Sequence, residues 1–127
     1  MAKILLVDDD PDFVDATKLI LEKSGYTVVT ASSSEEGWNK AQKESPDLIL
    51  LDVMMETQDA GFQLAYKFRK DKKLKNKPIL LLTAVGRVTG FKFDKAKDEA
   101  FLPVEEYIEK PIKPEILLEK ISKALSK

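Results

Sequence analysis

Four consecutive aliphatic residues, Leu48-Ile49-Leu50-Leu51, run directly into a carboxylate, Asp52, and then into Val53-Met54-Met55. A run this short and this uniformly apolar, introduced by the turn signal Ser45-Pro46-Asp47, reads as a strand buried on both faces. Such a strand needs a layer above it and another below, which restricts the chain to architectures in which helices cover a sheet. The charge at its end then sits at the lip of a core. Taken alone, a strand-end Asp only caps the next turn. The pattern recurs, however: Ile4-Leu5-Leu6-Val7 runs into Asp8, Asp9 and Asp10, and Ile79-Leu80-Leu81-Leu82 ends at Thr83.

Between these runs lie helical signals. Asp10-Pro11 offers an N-cap acceptor followed by proline at the first helical position, and Phe13, Val14, Ala16, Ile20 and Leu21 recur at helical spacing until Gly25. The β-branched Thr27-Val28-Val29-Thr30 makes a second strand. Ser33 with Glu36 is a capping-box pair opening a helix that turns Trp38 and Ala41 inward, Trp38 as core filling. A helix from about Phe62 to Arg69 is expected next, then a Lys-rich solvated connection through Lys77. Gly86 to Val104 is irregular, with one short helix expected near Asp94 to Ala100. Glu106-Tyr107-Ile108-Glu109 is a fifth strand running into Lys110-Pro111. Pro114 then opens a last helix with Leu117, Ile121 and Leu125 on one face.

Strands alternating with helices predict an α/β fold with a parallel sheet covered on both faces. Right-handed crossovers put every carboxyl end on one edge, where open sheets of this class bind ligands. That edge gathers Asp8, Asp9, Asp52, Thr83 and Lys110. Thr83 alone reads as a hydroxyl bonded to its own backbone, and Lys110 alone as a surface lysine. Their arrival at four strand ends of one edge is what makes a site.

Composition narrows the chemistry. With 127 residues and a formal net charge of −1, one domain over residues 1–127 is expected, without a global pull toward nucleic acid or anionic membrane. No run approaches bilayer length, and Ile4 to Val7 is too short for a signal peptide. The absence of Cys is compatible with the cytoplasm and excludes thiolate sites. The absence of His removes the commonest general base, so phosphohistidine chemistry must use another molecule's histidine. Converging carboxylates repel one another unless a cation or bound protons neutralise them, and all-oxygen ligands suit a hard ion, Mg²⁺ above the transition metals. Asp52 can also act as a nucleophile toward phosphorus. Lys110 would supply positive charge, and Thr83 a hydroxyl donor to a phosphoryl oxygen.

In combination, Ile4-Leu5-Leu6-Val7-Asp8-Asp9-Asp10-Pro11, Asp47 through Met55, Leu82-Thr83-Ala84 and Tyr107-Ile108-Glu109-Lys110-Pro111 resemble the receiver domain of bacterial two-component response regulators. The resemblance implies a doubly wound five-stranded sheet in the order 2-1-3-4-5, the flavodoxin-like receiver fold. It implies that Asp52 accepts a phosphoryl group from a sensor histidine kinase or phosphotransfer protein. Asp9, Asp52 and the Met54 carbonyl would hold Mg²⁺, with Asp8 acting partly through water. Thr83 and Tyr107 would be a switch pair, and Lys110-Pro111 a cis bond. With no output domain after Lys127, the expected output is contact with a downstream protein, by a stand-alone receiver, either a monomer or a dimer formed on phosphorylation.

Two segments depart from the family pattern. Glu56 to Gly61 lacks the usual proline and is one residue longer, and Gly86 to Val104 is longer than its counterpart. Two rivals remain. A phosphatase of the haloacid dehalogenase kind needs a second Asp two positions after the nucleophile, where this chain has Met54. A docking module that is never phosphorylated would have no need of a repulsive acidic cluster.

Overall fold

The computed structural model describes residues 2–53, 60–84, 106–110 and 112–126, with the backbone alone at Ala84, Glu106, Tyr107 and Glu109. Each aliphatic run is a strand. β1 (Lys3–Val7), β2 (Thr27–Ala31), β3 (Leu48–Asp52), β4 (Ile79–Ala84) and β5 (Glu106–Lys110) form one sheet in the order β2-β1-β3-β4-β5. All four pairings are parallel. The described helices are α1 (Pro11–Lys23), α2 (Ser34–Glu44), α3 (Ala60–Lys70) and α4 (Pro114–Leu125). The winding direction reverses between β1 and β3, whose register runs from Ile4–Leu48 to Val7–Leu51.

Alternation along the strands divides the core in two. Leu5, Val7, Ile49, Leu51, Ile79 and Leu81 face one cluster, completed by Ala41, Leu64, Ala65 and Phe68 from α2 and α3. Ile4, Leu6, Leu48, Leu50, Leu80 and Leu82 face the other, completed by Leu21 of α1 and by Leu117 and Ile121 of α4. Each fully buried Leu or Ile is worth roughly 1.5–3 kcal/mol relative to exposure, so the strands are anchored from both faces. Trp38 packs half-buried on the first cluster, its ring stacked on Phe68 at 5.7 Å between centroids.

Local signals set the entry to each helix. Asp10 accepts from the backbone N–H of Asp12 and Phe13, and Pro11 follows as the first helical residue. Gly25 takes φ 96° beyond the end of α1, a backbone state that costs glycine nothing. The capping box is half-formed. Ser33 accepts from Glu36 N–H, but the Glu36 carboxylate reaches one residue further back, to the backbone and hydroxyl of Ser32.

Two expectations are corrected and one boundary is sharpened. Ala16 is exposed, and Thr17 takes the buried position one turn from Leu21, since Phe13, Thr17 and Leu21 lie four residues apart on one face. The connection after α3 is not merely solvated: Leu74 is fully buried in the core, and the Arg69 guanidinium donates to the carbonyls of Lys75 and Lys77. α3 begins at Ala60, two residues before Phe62, because Gly61 lies against the end of β3. There its N–H donates to the Val53 carbonyl at 2.8 Å. A Cβ on Gly61 would collide with the Asp52 carbonyl oxygen and lie 2.7 Å from Val53 Cα.

Candidate functional site

Asp8 follows the last paired residue of β1, and Asp52 closes β3 one step beyond the Val7–Leu51 pair. The parallel register therefore delivers two carboxylates side by side at the edge where the winding reverses. Asp9, next along, remains exposed. One carboxylate oxygen from each of Asp8, Asp9 and Asp52 lies within 4.8 Å of the other two. Asp8 is 1% exposed and Asp52 7%, so most of this charge is withdrawn from water.

The other half of the site arrives from β4 and β5. Asp52 pairs in register with Leu82, which puts the buried Thr83 one step past it, while Ala84 pairs with Lys110. From there the Lys110 ammonium donates to Asp8 Oδ2 at 2.7 Å and lies 3.7 Å from Asp52 Oδ1. The second Asp8 oxygen accepts the backbone N–H of Asp10 at 3.0 Å. Asp8 is thus held at both oxygens.

Asp8, Asp9, Asp52, Thr83 and Lys110 all reach the one edge. Among the described residues no other group of carboxylates is drawn together in this way. Met54, the Tyr107 side chain, the Lys110-Pro111 bond, and the segments 56–59 and 86–104, with the short helix expected in the latter, lie outside what the structure describes. Beside the acidic cluster a cleft of about 370 Å³ opens between α1 and the start of α2, bounded by Asp8, Asp9, Val14, Ser32, Glu36 and Lys40.

The donor set fits a hard divalent cation. Three carboxylates, two buried and one exposed, face one ammonium, which leaves a formal charge of −2 at this edge. Oxygen ligands without nitrogen or sulfur favour Mg²⁺ or Ca²⁺ over zinc or copper. Lys110 already offsets part of the carboxylate repulsion, so the cluster is tolerable before any metal binds.

Sequence reasoning missed two residues here. Gly61 admits α3 against the backbone of Asp52, and its only signal was a glycine at a helix start, which reads equally well as a loop. Phe13, read as core filling by its spacing, also places its ring under Lys110, with Nζ 4.1 Å from the centroid. No short-range signal announces that contact, because its partner is far away in sequence.

A family model describing the response regulator receiver domain matches residues 4–122. The alkaline phosphatase synthesis transcriptional regulatory protein PhoP of Bacillus subtilis is 40% identical over 119 residues, covering 88% of this chain and 43% of PhoP. Protein PilH of Pseudomonas aeruginosa is 31% identical over 126 residues, covering 99% of both chains. A crystal structure of a CheY-like response regulator receiver domain protein from Methanospirillum hungatei superposes with a TM-score of 0.80 at 31% identity, covering 99% of this chain and 94% of that one. This chain spans under half the length of PhoP and of the three other regulators matched beside it.

Proposed function

The chain belongs to the response regulator receiver family, and we propose that Asp52 is its phosphoacceptor. Receiver domains of two-component systems are signalling modules, not turnover enzymes. The observation that carries the assignment is the buried pair of carboxylates at the sheet edge, bridged by one ammonium and adjoined by a third, exposed carboxylate.

In this reading an Asp52 carboxylate oxygen forms a bond to phosphorus while the bond to the donor's leaving atom breaks. With a phosphohistidine donor that atom is an imidazole nitrogen, which keeps the electron pair. Lys110, 3.7 Å from Asp52 Oδ1, is close enough to meet charge developing on the phosphoryl oxygens. Thr83, beside Asp52 on the next strand, would donate its hydroxyl to one of them. Asp8, Asp9 and Asp52, with the Met54 carbonyl, would hold Mg²⁺, which when bound neutralises phosphoryl charge. Thr83 and Tyr107 would then act as a switch pair that passes the new charge on Asp52 to the protein surface. Two positions past the phosphoacceptor and two past Thr83, where side chains flank an attacking water in the family, this sequence has Met54 and Val85, which offer water no strong hydrogen bond, so slow self-dephosphorylation is expected.

Residues 1–127 would form one receiver domain acting in the cytoplasm between a sensor kinase or phosphotransfer protein and a downstream protein. PilH, matched along its whole length, supports output without an attached effector. Among the described residues no helix is long and apolar enough to cross a membrane. Neither DNA nor a membrane is proposed as a partner.

Acetyl phosphate with Mg²⁺, read by mass spectrometry, tests the assignment. One phosphoryl group should appear on the Asp52 peptide and be absent from Asp52→Asn. Unmodified wild type would leave the docking-module reading. Multiple turnover of p-nitrophenyl phosphate would favour the phosphatase instead.

A further inference from the structure

Among the described residues, the Lys110 ammonium has three charged or aromatic neighbours. Two are carboxylates, Asp8 at 2.7 Å and Asp52 at 3.7 Å, and the third is the face of Phe13, 4.1 Å from its centroid. We propose that Phe13 is a positioning residue for phosphoryl transfer, holding Lys110 over the site by a cation–π contact. The proposal rests on the reading of Asp52 as phosphoacceptor.

The ring's own placement is well determined. Phe13 lies in the first turn of α1, where its N–H is bonded to the capping Asp10 carboxylate. Its side chain packs half-buried on the core cluster shared by α1 and α4. Asp10, next to Asp8 and Asp9 in the chain, thus also anchors the turn that carries the ring.

An aromatic face does something here that another carboxylate could not. A third acidic anchor would hold Lys110 more tightly but would repel an incoming phosphoryl group carrying negative charge. The π face attracts the ammonium through its quadrupole and carries no net charge. It also matters most when the carboxylates are otherwise engaged. Asp8, once it shares its oxygens with a cation, holds Lys110 less strongly, and Asp52 changes chemistry when it accepts phosphorus. Phe13 is the one neighbour of the three that neither event alters, so it keeps a long, flexible side chain within reach of the phosphoryl oxygens.

The test replaces Phe13 with mono-, di- and trifluorophenylalanine, which drain the ring's quadrupole at nearly constant shape, and with Leu and Tyr. Phosphoryl uptake from acetyl phosphate with Mg²⁺ is timed, and thermal melting is followed in parallel. Uptake should slow stepwise with fluorine content at constant melting temperature. Phe13→Leu should slow it about fivefold, within the range of a partly desolvated cation–π contact, and Phe13→Tyr should restore it. A flat fluorine series, or Phe13→Tyr as slow as Phe13→Leu, overturns the proposal. A wild type that takes up no phosphoryl group refutes the phosphoacceptor reading instead. The ring contact is then judged by proton NMR: the Lys110 ε-methylene signals should be shifted upfield in wild type and not in Phe13→Leu, and no upfield shift overturns it.

Discussion

At the amino end of β1, the Lys3 ammonium lies 3.2 Å from Glu44 Oε1 and also donates to the Glu44 carbonyl, while the Asp47 N–H donates to the Lys3 carbonyl at 2.7 Å and the Lys3 backbone N–H to the Asp47 carboxylate at 2.8 Å. At the carboxyl end, Lys110 meets Asp8 and Asp52. The residue types are the same, yet the side chains of Lys3 and Glu44 are each 33% exposed, whereas Lys110 and Asp8 are 20% and 0% exposed. The first cluster fastens β1 and β3 to the end of α2, and water screens what charge remains. The second keeps excess negative charge in a place water barely reaches. Both ends hold more carboxylates than ammonium groups; strand-end charge becomes a site when that excess is buried, and a clasp when water reaches it.

Removing the lysine from each end is the strongest way to break that comparison. With a chelator present, Lys110→Met leaves Asp8 buried and without its cation, and should cost about 3 kcal/mol in urea unfolding. Lys3→Met removes a half-exposed ion pair and should cost under about 1 kcal/mol. Magnesium should recover part of the Lys110→Met loss, because a ligand that binds only the folded state stabilises it. Equal costs at the two ends would remove burial as the distinguishing factor.

The two glycines packed in helices differ in a similar way. Gly61→Ala forces a Cβ against the backbone of Asp52 and Val53, which cannot yield without shifting the site. A loss of about 2 kcal/mol is expected, with slower phosphoryl uptake. Gly37→Ala meets only the Val7 side chain at 3.0 Å and that of Leu64 at 3.3 Å, and regains helix propensity of about 0.5–1 kcal/mol. Its melting temperature should stay near that of wild type. A Gly61→Ala protein that matches wild type in both stability and uptake would show that the close approach is not needed.

Asp9→Ala separates repulsion from ligation at the carboxyl end. It removes the exposed member of three mutually close carboxylates. Without metal the protein should be as stable as wild type or up to about 1 kcal/mol more so, while Mg²⁺ affinity, by calorimetry, falls at least about tenfold. Unchanged affinity would take Asp9 out of the ligand set.

Most of the edge was legible in the sequence because strand ends are local signals. A run of four aliphatic residues fixes where a strand stops, parallel topology fixes which ends share an edge, and Asp8, Asp52 and Thr83 follow; Lys110 is read from the mixed run Glu106 to Glu109 and the proline behind it. The strand order came from the family resemblance. The contacts that tune the edge were not legible. Lys110 over Phe13, and Gly61 on the Asp52 carbonyl, depend on how closely a helix approaches the sheet, and side-chain periodicity does not report that distance. Leu74 was missed because one apolar residue in a Lys-rich connection has no period at all. Thr17 was missed because a hydroxyl does not count as apolar, although its position on α1 is as buried as its neighbours' spacing demands.

The smallest effect is expected at Glu36, which borders the same cleft and yet resembles the amino-end clasp. Its carboxyl titrates below its ordinary value of 4.5, chiefly because the Ser32 backbone N–H donates to it, then through the Ser32 hydroxyl, with the charge of Lys40 adding to both. A depressed carboxylate stabilises the fold above its unfolded pKa, and that contribution is lost as pH falls through the lower folded value. The Glu36 side chain is 41% exposed, so solvent screening holds the contribution to a few tenths of a kcal/mol. Glu36→Gln should therefore be slightly less stable than wild type at pH 7. The difference should begin to close as pH drops below about 4.5 and vanish once wild-type Glu36 is protonated in both states. A difference independent of pH would mean that the Ser32 contacts, which a glutamine amide oxygen can also accept, act through geometry and not charge. A difference as large as that of Lys110→Met would mean that a place on the carboxyl edge is enough to make a charge costly. The expected few tenths would instead leave burial as what sets Asp8 and Asp52 apart.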